Sequence, residues 1–337
     1  MQGAALVDDA GVSMLIDKKP QRIVIQYVAP LASMYTTLNK GSDELVAVPK
    51  VAVSASKHGI LSKFYPKTLE LNTSLDMGAD VNVEALLALN PDLVFYRYET
   101  AKIREKIQAI SDVGIKKIAM DASKHNFHGV KTFKGIMDIL GQVLEQKTHA
   151  DEMVAHAMEV EDFIAKRVEN TPKVRALEII SYSAGKMMVG GNKHNPGYFF
   201  PATGLENTFT QDVAWADLSL EELYKQDPDI IILTSYALID PKDFEKPLDG
   251  MDFTQLKAVK NKRVYKFPLG LFYYVQAAGE VPLTLKWLAK TAHPELFADL
   301  DLAKEMKDFY QRFYSLRIDD ADVQKILNPS RESGSWK

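Results

Sequence analysis

The segment NVEALLALNPDLVFY (82–96) aligns without gaps with a second segment, SLEELYKQDPDIIIL (219–233). Identical residues occur at matched positions in the two copies, namely Glu84/Glu221, Leu86/Leu223, Pro91/Pro228 and Asp92/Asp229. Each copy predicts a short helix, a break at the proline and a buried apolar strand. Because the distance between the copies far exceeds the period of a solenoid repeat, they indicate two similar lobes.

Short apolar strands alternate with helices around each copy. The first half predicts a hairpin with its turn at 9–11, strands at 23–27, 45–48 and 115–120, and helices at 30–38 and 100–113. The second half predicts strands near 174–180 and 264–267. Residues 49–80 are predicted to be irregular, because Ser, Lys, Pro and Gly are scattered through them. The alternation predicts an α/β fold whose parallel sheets are covered by helices on both faces.

A segment without proline, residues 133–170, connects the two series. Its apolar residues recur at helical spacing, which predicts one long helix or two abutting helices, about 50 Å long if unbroken. Such a helix would act as a strut between the lobes. We expect an N-terminal α/β lobe at 1–130, an inter-lobe helix at 131–170, a C-terminal α/β lobe at 171–280, C-terminal helices at 281–330 and a flexible tail at 331–337.

Composition and missing motifs exclude several functions. The 337 residues include 41 basic and 45 acidic ones with no basic block, so a nucleic-acid partner is not expected. Cysteine is absent, which excludes zinc fingers, cysteine nucleophiles and iron–sulfur ligation. No GxSxG, Walker, Rossmann or HExxH motif occurs. An enzyme is therefore disfavoured, and an unrecognised hydrolase on a two-lobed scaffold is the remaining alternative of that class.

The chain resembles the periplasmic solute-binding proteins of ABC importers for metal chelates, such as siderophores, haem and cobalamin. The resemblance covers about residues 7–327 and rests on four features: DDAGVSMLIDKKPQRIV (8–24), the repeated Glu…Pro-Asp unit, the inter-lobe helix, and KWLAKTAHPELF (286–297). It implies two α/β lobes bridged by a long helix, a ligand held in the cleft between them, and delivery to a membrane permease.

The resemblance also implies where the permease docks. One exposed glutamate per lobe carries this role in the family, and these positions match Glu84 and Glu221. The alternative is that each glutamate only stabilises the start of its helix. The N-terminus, Met-Gln-Gly-Ala-Ala, has no signal-peptide pattern. We therefore expect a periplasmic monomer whose signal peptide has been removed.

Ligands of open α/β sheets bind beyond the carboxyl ends of the strands. Residues just past the predicted strands, and polar residues of the glycine-rich segment MVGGNKHNPGYFF (188–200), are therefore the predicted ligand-binding residues: Tyr27, Arg97, Tyr98, Tyr182, Asn192, His194, Tyr198, Tyr236, Tyr273 and Tyr274. For a tyrosine the alternative is a place at the edge of the core. For Arg97 it is a surface pair with Glu99, and for His194 it is simple solvation.

These side chains predict the chemistry of the ligand. Tyrosine can stack on a flat ligand, donate a hydrogen bond to an anion or ligate a ferric ion, and arginine binds oxyanions. An anionic metal chelate of the ferric siderophore type is the first expectation, and an oxyanion such as molybdate or tungstate is the alternative. No resident cofactor is expected. No protein metal site is assigned, although His194 and a cleft tyrosine are the candidates for ligating a metal.

Overall fold

The computed structural model describes residues 5–75, 80–111 and 114–334. The strands in this part of the chain are β1 (Ala5–Val7), β2 (Ser13–Leu15), β3 (Ile23–Gln26), β4 (Leu45–Ala47), β5 (Leu93–Arg97), β6 (Lys116–Met120), β7 (Val174–Ser183), β8 (Lys186–Gly190), β9 (Leu205–Asn207), β10 (Trp215–Leu218), β11 (Ile230–Leu233) and β12 (Val264–Lys266). The helices are α1 (Leu31–Asn39), α2 (Lys50–His58), α3 (Leu61–Phe64), α4 (Val83–Ala88), α5 (Ala101–Gln108), α6 (Gly129–Val143), α7 (Lys147–Val168), α8 (Asn195–Ala202), α9 (Leu220–Gln226), α10 (Lys257–Lys260), α11 (Val281–Ala292), α12 (Leu302–Tyr314) and α13 (Asp320–Leu327).

The strands form two main sheets, one in each half of the chain. The first is parallel, in the order β4-β3-β5-β6. The second has the order β10-β8-β7-β11-β12, with β9 also on β7; the strands β7, β9, β11 and β12 are parallel, and β8 and β10 are antiparallel. The two copies of the repeat therefore contribute their strands, β5 and β11, to different sheets. The predicted α/β fold with two similar lobes is confirmed.

Alternate residues of each sheet enter different cores. In β5, Leu93 and Phe95 join a central cluster, while Val94 packs outward against α4 and α5. In β11, Ile230 and Ile232 join the same central cluster, and their neighbours pack outward. The central cluster also takes buried residues from α6, α7, α11 and α12. A shared helical layer thus packs against the inner faces of both sheets.

A hydrogen-bonded module explains the repeated Pro-Asp pair. The carboxylate of Asp92 accepts the backbone N–H of Arg22 at 3.0 Å, and the Arg22 guanidinium donates to the carbonyl oxygens of Leu89 and Asn90 at the end of α4. In the second lobe, Asp229 accepts the N–H of Arg175, whose guanidinium donates to carbonyls at the end of α9. Each aspartate ties its strand to the neighbouring parallel strand, and each arginine caps the preceding helix.

The segment predicted to be irregular contains two helices, α2 and α3, so that prediction is wrong for residues 50–64. These helices are short, with nine and four residues, and tertiary contacts hold them in place. Ala55 and Leu61 are buried in the central cluster, and the N–H of Ile60 donates to the carbonyl of Gly270 at 2.9 Å. The predicted helix at 100–113 is also shorter, because α5 ends at Gln108; Val113 lies outside the described residues.

The inter-lobe segment contains two helices, the second of the two predicted alternatives, and they form a hairpin. Helix α6 ends at Val143 and α7 begins at Lys147, and Glu145 between them has a left-handed φ of 56°. The side chain of His128, just before α6, lies 3.6 Å from Glu161 in α7, so the two helices run back along each other. Gly141 permits the close approach, since a Cβ there would lie 2.9 Å from that of Ala150.

Part of the predicted flexible tail is packed against both lobes. Arg331–Gly334 form a 3-10 helix in which Ser333 is fully buried. The Ser333 carbonyl accepts the hydroxyl of Tyr273 at 2.6 Å, and its hydroxyl donates to the carbonyl of Ser235. Residues 335–337 lie outside the described residues. Among the described helices, none combines the length and apolar character that crossing a membrane requires.

Candidate ligand-binding site

The carboxyl edge of the first sheet brings Tyr27 and Arg97 together. Tyr27 follows β3 with a φ of 62°, and Arg97 is the last residue of β5. The Arg97 guanidinium lies over the Tyr27 ring, 5.4 Å from its centroid, and Nε contacts the Glu99 carboxylate at 2.6 Å. The Arg97 side chain is still 39% exposed. Arg97 therefore pairs with Glu99, as the alternative predicted, while much of its guanidinium remains accessible.

The side chain of Tyr98 packs on the outer side of the first sheet. Its ring packs against the outer cluster of the first lobe, and the guanidinium of Arg104, from α5, lies 5.2 Å from the ring centroid. Its backbone N–H donates to the Met120 carbonyl at 2.9 Å. Tyr98 is half-buried, and its described contacts are structural.

In the second sheet the strongest polar pair is Glu178 with His194. Glu178 lies in β7, opposite Ile232 of β11, one residue before the parallel part of the sheet ends. Its side chain is fully buried, and its Oε2 lies 3.1 Å from Nδ1 of His194. His194 immediately precedes α8 and its side chain is 23% exposed. A buried carboxylate thus contacts an imidazole that reaches the surface.

Two aromatic side chains flank this pair. Trp215 begins β10, is 58% exposed and packs edge-on to the His194 ring at 6.2 Å. Tyr236 follows β11 and packs 4.6 Å from the ring of Tyr273. Burial, with a smaller electrostatic contribution from Glu178, holds the pKa of Tyr236 well above its ordinary value. Tyr236 is therefore a neutral hydrogen-bonding group close to the Glu178 carboxylate.

Asn192 lies in the same loop as His194, and its hydrogen bonds stabilise that loop. Its side-chain amide donates to the Thr210 carbonyl at 3.1 Å, and its backbone N–H donates to the Gln211 carbonyl. The loop is tightly packed here, because a Cβ on Gly191 would come within 2.3 Å of the Val213 carbonyl oxygen. Asn192 thus fixes the loop that carries His194.

Three predicted ligand-binding tyrosines are core residues in this structure, as the alternative reading of tyrosine allowed. Tyr182 packs against Phe253 in the outer cluster of the second lobe and donates to the Leu248 carbonyl. Tyr273 and Tyr274 are no more than 1% exposed. They follow a strand as predicted, but they point into the protein. There α2, α11 and the C-terminal segment cover them.

Tyr198, in α8, is the fourth of the predicted ligand-binding tyrosines that is buried, and it lies in a polar cluster with the helical hairpin. Its hydroxyl donates to Glu161 at 2.5 Å, and its ring lies 4.2 Å from that of His128. Burial and the Glu161 carboxylate raise the pKa of the Tyr198 phenol above its ordinary value. Tyr198 therefore links α8 to α7 through a hydrogen bond.

A further buried acid, Glu280, was not predicted. Its carboxylate accepts the N–H groups of Leu271 and Phe272, at 2.8 and 2.9 Å, and the hydroxyl of Tyr310. Burial raises its pKa to about 7, although these hydrogen bonds oppose the shift. Glu280 holds the loop that carries Tyr273 and Tyr274.

The two predicted docking glutamates occupy equivalent places. Glu84 is the second residue of α4 and Glu221 the second residue of α9, and both are exposed. Glu221 also pairs with Lys225 at 2.8 Å. The matched placement predicted by the repeat is therefore present in both lobes.

Glu178 is the main residue of the candidate site that the sequence did not predict. Its signal was a single charged residue inside the apolar run ALEII (176–180), where an acid is rarely buried unless it has a partner. No group of three or more acidic or histidine side chains in the described ranges is arranged to hold a metal ion.

Known proteins match this architecture. Residues 35–269, more than half of the chain, match the family described as periplasmic binding protein. The chain belongs to the periplasmic binding protein family. This periplasmic binding protein is thus a solute-binding protein of the kind that serves ABC importers, and it is not an enzyme. One solved relative, MolA of Haemophilus influenzae, is described as the cognate periplasmic binding protein of an ABC transporter.

Three relatives show how similar this chain is to known proteins. The molybdate-binding protein MolA of Haemophilus influenzae is 28% identical over 258 residues, which are 69% of this chain and 70% of that protein. A periplasmic solute-binding protein of Veillonella parvula superposes with a TM-score of 0.84, at 25% identity, over 96% of both chains. CeuE of Helicobacter pylori, in its Ni-His complex, superposes with a TM-score of 0.74, at 24% identity, over 97% of this chain and 99% of its own.

Proposed function

We propose that this periplasmic binding protein captures an anionic metal chelate between the carboxyl edges of its two sheets. The observation that supports this best is the pair of Glu178 and His194, 3.1 Å apart at the edge of the second sheet. An imidazole whose Nδ1 faces a carboxylate is the usual form of a histidine that ligates a metal through its other nitrogen. Trp215 beside it offers a flat apolar face to an organic chelator.

The first sheet supplies the charge for an anionic ligand. Arg97 is 39% exposed and held in place by Tyr27 and Glu99. A guanidinium fixed in this way can donate to carboxylate or catecholate oxygens of the chelator. The ligand would therefore contact an arginine on one lobe and a histidine on the other.

A bare oxyanion is the second candidate ligand. The similarity to the molybdate-binding protein MolA, which covers 69% of this chain, favours it. Arg97 would donate to such an anion, and a protonated His194 would donate through Nε2. The pairing of Arg97 with Glu99 reduces the positive charge offered to a compact dianion, so the chelate remains the first candidate.

We further propose that Glu84 and Glu221 dock the protein to its permease. Both are exposed at the second residue of equivalent helices, one on each lobe. Carboxylates displayed as a matched pair can bind arginines on two similar permease subunits through charge-assisted hydrogen bonds.

Calorimetric titration tests the proposed ligand class. We would titrate a ferric catecholate, a nickel–histidine complex and sodium molybdate into the wild type, H194A and the control R104A. A chelate ligand predicts saturation at one chelate per chain, with binding at least tenfold weaker in H194A and unchanged in R104A. Molybdate binding without chelate binding would establish the second candidate. Chemical turnover of a bound chelate would contradict both.

A further inference from the structure

Glu178 has an unusual environment for a carboxylate. Its side chain is fully buried within β7, and its Oε1 has no hydrogen-bond partner among the described residues. Its Oε2 contacts Nδ1 of His194 at 3.1 Å, the one hydrogen bond that its carboxylate makes in the described structure. Burial of an ionised carboxylate is strongly unfavourable unless a partner compensates it. His194 is therefore the described partner on which the buried Glu178 carboxylate depends.

The contact with Glu178 determines which ring nitrogen of His194 carries the proton. An ionised carboxylate accepts only, so the N–H must lie on Nδ1 for the 3.1 Å contact to be a hydrogen bond. The side-chain nitrogen Nδ2 of Asn195 lies 3.2 Å from the same Nδ1 and could donate only to an unprotonated nitrogen. The buried Glu178 carboxylate is the closer partner, and its charge makes the stronger hydrogen bond, so it sets the tautomer. In the neutral imidazole, Nε2 then carries the lone pair, and no described residue hydrogen-bonds to it.

The neighbouring loop leaves room for this carboxylate. A Cβ on Gly190 would lie 2.2 Å from Glu178 Oε2 and 3.0 Å from the Pro196 ring. Glycine at position 190 therefore lets the strand β8 and the start of α8 close over Glu178. The carboxylate is enclosed on that side, and His194 is the side chain through which it can act at the surface.

We propose that Glu178 is a positioning residue, which fixes the tautomer and ring orientation of His194 so that Nε2 faces the metal of a bound chelate. The proposal rests on the proposed function and deepens it, since it selects chelates whose metal keeps an open coordination position. Such an outer partner of a histidine ligand commonly changes metal affinity 10- to 100-fold. Glu178 itself does not touch the ligand.

The tautomer of His194 can be measured without any ligand. Long-range 1H–15N spectra of histidine-labelled protein distinguish the two neutral tautomers, and H194A identifies the signal. We expect the Nδ1–H form in the wild type, a shift to a mixture dominated by Nε2–H in E178A, and an intermediate spectrum in E178Q, which keeps an acceptor oxygen. E161Q, which removes the carboxylate beside His128, is the matched control and leaves the His194 signal unchanged. An Nε2–H wild type, or an E178A spectrum like that of the wild type, would overturn the proposal.

Binding of copper(II) iminodiacetate, a chelate with open positions, tests the consequence. We expect E178A to bind it 10- to 100-fold more weakly and E178Q to show a smaller loss, and we expect the double variant E178A/H194A to bind no more weakly than H194A alone. Additive losses would show that Glu178 acts independently of His194 and would overturn the positioning role. If H194A binds the chelate normally, the proposed function fails, while the tautomer measurement still decides what Glu178 does.

Discussion

At the scale of single residues, two polar side chains near the strand ends, Arg97 and His194, are oriented in a similar way. Arg97 is fixed through Nε and its stacking on Tyr27, which leaves the rest of an exposed guanidinium available. His194 is fixed through Nδ1, which leaves Nε2 available. In both residues one polar contact orients the group and another polar atom remains for a ligand. Pre-oriented groups lose less conformational entropy on binding than mobile ones.

Replacing Arg97 should weaken binding of an anionic ligand. We expect R97A to bind about thirtyfold more weakly, which corresponds to about 2 kcal/mol for a lost charge-assisted hydrogen bond. Isothermal titration calorimetry with whichever ligand saturates the wild type measures this loss. R104A, which removes the comparable arginine–tyrosine contact at Tyr98, is the control and should bind normally. An unchanged dissociation constant in R97A would remove Arg97 from the site.

Glu280 should make stability depend on pH. Its pKa is raised to about 7 in the folded protein, above the ordinary value of 4.5, so the folded state binds its proton more tightly than the unfolded state. This stabilisation is complete below about pH 4.5 and is lost as the pH rises through 7, by on the order of 3 kcal/mol.

Urea unfolding of the wild type and E280Q at pH 5 and pH 8 measures this effect. We expect the wild type to lose stability relative to E280Q between the two values, because glutamine does not titrate. The exposed substitution E152Q serves as the control and should follow the wild type. Parallel behaviour of E280Q and the wild type would show that Glu280 does not carry the pH dependence.

Sequence reasoning found the exposed polar residues of the site more readily than the buried ones. Tyr27, Arg97 and His194 could be predicted because they follow strands or lie in a glycine-rich loop. Glu178 and Glu280 act through contacts with residues distant in sequence, which no local pattern displays. The burial of Tyr273 and Tyr274 likewise depends on the C-terminal segment and α12 packing over them.

At the scale of elements, the two lobes use the same joint between a helix and a strand. Arg22 and Arg175 cap the carbonyl ends of α4 and α9, and the aspartate of each Pro-Asp pair holds the adjacent strand. Asn90 and Asp227, which precede the prolines, both have positive φ values. The repeated sequence therefore encodes a repeated set of hydrogen bonds and not only a similar hydrophobic pattern.

Removing either arginine should destabilise the fold without changing the site. We expect R22A and R175A each to lower the free energy of unfolding by about 1 kcal/mol, because carbonyls at a helix end lose a charged donor. Ligand affinity should stay the same. Urea titration measures the loss, with R317A at an exposed position as the control. Full stability of both variants would show that the module is incidental.

Element prediction succeeded where local pattern and tertiary packing agree. Strands β3, β5 and β11 are continuous apolar runs, and α11, α12 and α13 have clear start signals. Helices α2 and α3 were missed because contacts such as Ile60 with Gly270 stabilise them more than their own sequence does. The apolar spacing of 133–170 leaves one helix or two open, because neither the positive φ of Glu145 nor the close packing of α7 at Gly141 is visible in that spacing.

At the scale of the whole molecule, one central core connects the lobes. Residues from the inner faces of both sheets and from α6, α7, α11 and α12 form a single buried cluster. The N–H of Leu269 donates to the Ile326 carbonyl, and Lys63 pairs with Asp322 at 2.6 Å. Many contacts between the halves would have to change in a wide hinge opening, so we expect only a modest closing motion around the ligand.

The docking glutamates allow transport to be separated from binding. We expect the double variant E84A/E221A to abolish uptake by cells that carry the permease, while its ligand affinity stays at the wild-type level. E152A, which removes an exposed glutamate from α7, should transport normally. Normal uptake by the double variant, or weakened ligand binding in it, would contradict the docking role.

The central claim is that the ligand lies between the carboxyl edges of the two sheets, within reach of His194 and Arg97. Anomalous X-ray diffraction from crystals of the protein saturated with a metal chelate tests this claim most directly. We predict one metal peak per chain, about 2 Å from Nε2 of His194, with the chelator's oxygens toward Arg97. A peak on the outer face of either lobe, away from both sheet edges, would contradict the account.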